Sequence, residues 1–428
     1  MTDVSSPQIT THDRQVLRDL AKEILDIAHS DENLEKKGAW YAHNDLKPRR
    51  PLVLIESFPA TDELVTDDIL SCRDDWARKQ EKHLRTTIYH FRNIRDDDVV
   101  EPYLTWNWHV SAGNYGVTST RHDSDKVQRV DGKVVGSYSW EAPVKDLDAD
   151  FGKLKPRVFS VDRESSLLQR DRLEDVFGDI LGVRQRGGYW WTTGMTIIAI
   201  DLIGLENLML AMYDNPAGLH RLMGFLRDDH IAFAEWLEKE GLLSLNNEND
   251  YIGSGSRGYT RELPQKDWKP GGKVRTRDCW VLSESQETVG VGPGQFEEFI
   301  FPYQKDVVER FGLCYYGCCE PVHSRWHVIK KFSNLRSVSV SPWCDEEMMG
   351  EALAGKYVYS RKPNPTLIST DVFDENAIRN DVAKTLRCAR KCSVEIVMKD
   401  VHTLAGDPMR AARWVELARQ AIDLEWGK

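Results

Sequence analysis

Four segments in the C-terminal half of the chain repeat one theme: Leu242-Leu-Ser-Leu-Asn-Asn-Glu-Asn-Asp250, Trp280-Val-Leu-Ser-Glu-Ser-Gln-Glu287, Leu313 to Glu320, and Leu335-Arg-Ser-Val-Ser-Val-Ser-Pro-Trp343. Each begins apolar and ends polar. Between them the apolar residues recur three or four apart, as in Phe296, Phe299, Ile300, Tyr303, Val307 and Phe311, which is the spacing of one helix face. Short apolar runs alternating with amphipathic helices predict parallel strands covered by helices. Tyr357 to Pro363 and Val394 to Asp400 continue the pattern, and a closing helix runs from Pro408 to Trp426.

The N-terminal half is less regular. Val16, Leu17, Leu20, Ile24 and Ala28 form one stripe, which predicts an amphipathic helix over residues 12–29 within a helical extension covering residues 1–50. Pro51-Leu-Val-Leu-Ile-Glu56, stopped by Pro59, suits a first strand. Residues 61–98 are charged and mostly helical, Tyr103 to Val110 is an aromatic-rich strand, and residues 120–160 are a polar excursion outside the core. Arg163 to Phe177 and the stretch from Leu219 to Gly241 have helical spacing, and Tyr189-Trp-Trp191 with the apolar Met195 to Ile203 offers one more strand. Nine strand candidates result. A barrel takes eight, so one near 103–110 or 189–200 is accessory.

The expected fold is therefore α/β, a (β/α)8 TIM barrel over residues 51–428. Its strands would end together at one mouth, bringing Glu56, Glu248, Asp250, Gln286, Glu287, Cys318, Glu320, Trp343, Lys362 and Asp400 onto one face.

The net charge of -11 is spread over both signs, without the basic stripe that neutralises a phosphate backbone, so nucleic acid is not expected. No stretch approaches the roughly 20 apolar residues that span a bilayer, and residues 1–7 lack the basic flank and apolar core of a leader. A cytoplasmic protein is expected. In that reducing compartment the eight cysteines read as free thiols and metal ligands.

Gly253-Ser-Gly-Ser-Arg-Gly258 fits the dinucleotide pattern G-x-G-x-x-G, but no helix begins at its third glycine; Pro264, Pro270 and Gly271-Gly272 follow. Residues 251–278 read instead as a mobile flap that shuts water out of the barrel.

The densest chemistry is Cys318, Cys319, Glu320 and His323. Zinc takes thiolate, carboxylate and imidazole, and a catalytic zinc keeps three protein ligands. Adjacent cysteines at a strand end point opposite ways, so one of them faces the mouth with Glu320. A third ligand must come from another strand, and Asp400 and His402 end the last one; Cys344 is a reserve. Against this, the cysteines could pack as small apolar groups and His402 could cap a loop. Glu284, Gln286 and Glu287 close their strand, and the two carboxylates either move protons or pair with Lys362 or Arg361; Glu287, Gln286 and Asp250 are candidates for orienting substrate or moving protons. Trp108, His109, Asn246, Glu248, Trp343 and Lys362 are candidate substrate contacts. Aromatic walls suit a flat or methylated ligand, although Trp106, Trp108, Trp190 and Trp191 read equally as core.

Several of these stretches resemble one family. Asn207-Leu-Met-Leu-Ala-Met-Tyr-Asp-Asn-Pro216 with its following helix, Gly241 to Tyr251, Gln295-Phe-Glu-Glu-Phe with Pro302-Tyr303, and Gly312-Leu-Cys-Tyr-Tyr-Gly-Cys318 look like the uroporphyrinogen decarboxylase superfamily, in its methyltransferase-like branch. The resemblance implies a (β/α)8 barrel. In the corrinoid-linked, zinc-dependent methyltransferases of that branch a strand ends His-x-Cys and a second cysteine ends the last strand. Those positions fall on Cys318 and Glu320 and near Asp400 to His402, so the resemblance implies zinc held by Cys318, Glu320 and His402. The arginine-rich N-terminal motif of the metal-free decarboxylases is missing from Leu52-Val-Leu-Ile-Glu-Ser-Phe-Pro59. The expected activity is methyl transfer between a small molecule and a corrinoid, on a partner corrinoid protein, or a tetrahydrofolate. A homodimer is compatible with it. A lyase acting on a carboxylated or hydroxylated small molecule is the alternative, and a barrel that only binds a ligand is a third.

Overall fold

Six short runs rich in Val, Leu, Ile and Tyr are buried along almost their whole length, as parallel strands covered on both faces must be. They are Leu52–Ile55, Trp280–Ser283, Leu313–Tyr316, Leu335–Val340, Val358–Arg361 and Ser393–Met398. The computed structural model describes residues 9–56, 60–123, 128–130, 133–135 and 138–426; residues 1–7 and Pro59 lie outside the described residues. All six strands pair in parallel, with Leu52–Ile55 at one edge beside Ser393–Met398, followed by the others in reverse chain order to Trp280–Ser283. Their carboxyl ends therefore share one side of the sheet.

The sheet is curled. The Tyr315 hydroxyl donates to Ser360 Oγ at 2.9 Å, two strands away, and the Lys399 ammonium reaches Cys318 three strands away. Three strand spacings in a flat sheet are about 14 Å, too far for one lysine to bridge. The helices Pro293–Phe299, Phe301–Val308, Glu375–Cys388 and Met409–Glu425 join Tyr316, Tyr359 and Ile396 in one large core. Among the described residues no ladder joins Leu52–Ile55 to Trp280–Ser283, so backbone pairing assembles six strands and not the expected closed eight.

The missing strands have physical reasons. Leu242 to Asp250 forms no strand because its amides take over the pairing: Asn246 accepts from Trp280 N at 2.8 Å and donates to Trp280 O at 3.1 Å. Thr196–Ile203 is a helix, and a short apolar run does not by itself distinguish helix from strand. Tyr103–Trp106 pairs in parallel with Gly182–Gln185, then the chain breaks and His109–Ala112 runs antiparallel to Phe159–Asp162. The polar excursion is an antiparallel ribbon, Thr120–Asp123 with Tyr138–Glu141 and Gln128–Val130 with Lys133–Val135, but Val144, Leu147 and Leu154 pack into the core.

The expected helices form with the termini their sequences call for. Thr10 caps Thr11–Ala28 through the Asp13 N–H, Asn215 caps Pro216–Glu240 with proline in the first turn, and Gly241 ends it in the left-handed region. Among the described residues no single helix is long and apolar enough to cross a membrane.

Residues 251–257, expected in a mobile flap, are a hairpin packed against the concave face of the sheet. Its glycines permit this. A Cβ on Gly253 (φ 155°) would lie 2.4 Å from the Tyr315 ring, and one on Gly255 (φ 85°) would lie 2.6 Å from Val397. Ser256 Oγ donates to the buried Glu395 at 3.0 Å. Gly255→Ala is therefore expected to lower unfolding free energy by about 2 kcal/mol, seen as a lower urea midpoint; an unchanged midpoint would show that the hairpin is free to move away.

Candidate active site

Gly317, with φ at 97°, ends the strand Leu313–Tyr316 and turns the chain across the carboxyl edge of the sheet. The two cysteines that follow consequently do not alternate as they would on a strand: their Sγ atoms are 3.6 Å apart, Cys318 buried and Cys319 exposed. Glu320 folds back underneath them, one oxygen accepting from Ser285 N at 2.9 Å and the other from Cys318 N at 2.8 Å. Ser339 and Ser341, on and just beyond the next strand, donate to the carbonyls of Cys318 at 2.9 Å and Glu320 at 3.2 Å. The loop is thereby fixed to three strand ends.

Lys399, first residue after the last strand, brings its ammonium to 3.6 Å from Cys318 Sγ and 3.5 Å from Asp400. The hydrogen bond from the Cys319 thiol, opposed by burial and reinforced by the Lys399 charge, lowers the Cys318 pKa to about 7. Cys319 moves the other way, because its proton is held by the Cys318 thiolate and it is itself partly buried. Burial disfavours the Lys399 ammonium, yet Cys318 and Asp400 hold it above the usual lysine range.

Glu284 follows the strand Trp280–Ser283 and is fully buried. Its Oε2 accepts from Gln286 N at 2.8 Å while Oε1 has no partner among the described residues. Burial, then the charges of Glu320 and Glu287, push its pKa up to about 9, so it holds a proton at neutral pH. Lys362, directly after the Val358–Arg361 strand, is the counterpart: burial lowers it to about 8, although Glu395 pulls the other way. Burial works against the Glu395 charge as well, but His43 at 3.2 Å and Lys362 keep it below its usual value.

The remaining expected residues divide. Glu287 accepts from Thr196 Oγ1 at 2.7 Å and lies with Gln286 in a short turn after the strand, close enough to raise Glu284. Asp250 accepts from Arg186 at 2.9 Å; Glu248 pairs with Arg186 and takes the Tyr103 hydroxyl at 2.8 Å. Asn246 serves the Trp280 backbone. His109 is exposed on the antiparallel pair, bonded to Ser165 and Gln169, and Trp108 packs edge-on against Trp106 at 5.0 Å, so neither belongs to the carboxyl edge of the sheet. Trp343 is 66% exposed beyond the Leu335–Val340 strand. His402 is exposed, and Asp400 sits at a positive φ with its carboxylate turned to Lys399. Lys399 is the group that sequence reasoning left out of the site; a lysine placed directly after a fully buried strand, Met398-Lys399, was the signal for it.

Zinc does not fit these side chains as they stand. Among the described residues no three His, Cys, Asp or Glu side chains gather as a metal requires. An ammonium, which repels a second cation, already faces Cys318, and both oxygens of Glu320 accept backbone N–H groups. The site's chemistry is that of a thiolate, an ammonium and a protonated carboxyl.

No protein-family description matches the chain, and no curated protein does. Among solved structures it is similar to a methyltransferase from Methanosarcina mazei at 11% identity and a TM-score of 0.49, over 91% of this chain and 98% of that one. A likeness that faint carries neither fold nor activity across.

Proposed function

We propose that this chain is a methyltransferase in which the Cys318 thiolate attacks a methyl carbon at the carboxyl edge of the parallel sheet. The observation that carries this is the Lys399 ammonium 3.6 Å from Cys318 Sγ. A thiolate, not a thiol, is the nucleophile, and with a pKa of about 7 roughly half of the protein carries it at neutral pH. In the step, the S–C bond forms as the bond from the methyl to the donor's leaving atom breaks, with its electron pair going to that atom. Glu284 then supplies the proton that a basic leaving atom takes up. A corrinoid or folate carrier, as the family resemblance implies, would supply the other end of the transfer over a rim where Trp343 and Tyr251 are exposed.

Methylated ammonium, ether and thioether compounds, each offered with an acceptor, would locate the donor class. With the right class the Cys318 peptide gains the mass of one methyl group, and Cys318→Ser lowers turnover by about 10³-fold or more. Turnover without any methyl acceptor sinks this reading. It would favour a lyase instead, since a buried protonated Glu284 also suits proton delivery to a carbanion.

A further inference from the structure

Between residues 187–191, the segment from Leu243 to Ile252 and the start of the strand Trp280–Ser283 is a cavity of about 160 Å³. Tyr189, Trp190, Trp191, Tyr251 and Trp280 contribute aromatic rings, and Asp250 is the one charged side chain among the described residues lining it. Among the described residues no lysine or arginine lines it. Arg186 approaches Asp250 at Oδ2 and is itself also paired with Glu248. The faces of aromatic rings are the negative ends of their quadrupoles, and together with a carboxylate they attract a cation and repel an anion. A soft cation carrying methyl groups gains from the rings without the large desolvation penalty of a bare ammonium.

We propose that this cavity binds a methylated ammonium ion.

Calorimetric titration of the full chain with choline, against 3,3-dimethylbutan-1-ol of the same shape without the charge, tests the site without needing turnover. Choline is expected to bind at least about tenfold more tightly than the alcohol. Trp191→Leu, at a side chain 44% exposed and so dispensable for folding, and Asp250→Asn should each weaken choline by about tenfold. Equal affinity for the two probes, no binding of choline, or unchanged affinity in both variants overturns the proposal.

Discussion

Replacing Glu284 with glutamine is expected to make the protein more stable near neutral pH, by about 3 kcal/mol at pH 7, while removing most of its activity. The sign follows from the proton. Glu284 rises from 4.5 to about 9 on folding, so between those values the folded chain keeps a proton that the unfolded chain releases. Stability from this group is complete below pH 4.5 and is lost progressively as pH rises toward 9, at about 1.4 kcal/mol per unit. Glutamine keeps the shape and never ionises. Urea midpoints for the two proteins should converge near pH 4.5 and separate steadily up to pH 9; parallel curves would mean that Glu284 is ionised in the folded state.

Lys399→Met is expected to slow alkylation of Cys318 by iodoacetamide at pH 7 by about tenfold or more, since each unit by which the thiol rises removes a factor of ten in thiolate. Burial and the Glu320 charge then oppose the thiolate, with the Cys319 and Ser254 hydrogen bonds left to offset them. Lys399→Arg keeps the charge and should retain most of the rate, which separates loss of charge from loss of packing. Equal alkylation rates in wild type and the methionine variant would remove Lys399 from the site.

How much of this was legible depended on what each signal measures. The alternation of apolar runs and helix-period stretches reports burial, and burial fixed the six parallel strands and the edge on which Cys318, Glu320 and Lys362 meet. It could not place Leu242 to Asp250, where side-chain amides replace a ladder, nor Thr196–Ile203, where eight residues fit either period. Gly253 to Gly258 was read within a mobile flap, yet whether such a segment lies over a site or against a sheet depends on contacts with Tyr315 and Val397, remote in the chain. The metal set was misleading for a related reason. Strand alternation was extended past Gly317, where the chain had already turned, so Cys319 came to lie beside Cys318 and Lys399 filled the place assigned to a ligand. Two residues of opposite charge, brought from strands three apart, leave no local sequence signature.

The account rests on one ionised sulfur. Peptide-resolved alkylation of the native protein across pH 5 to 10 measures it directly, with the buried Cys72 and Cys392 thiols, each raised to about 12 by burial, as internal references. The rate at Cys318 should reach half its maximum at pH about 7, while Cys72 and Cys392 stay unreactive. A Cys318 midpoint at 9 or above, the range of an ordinary or merely buried thiol, would contradict it.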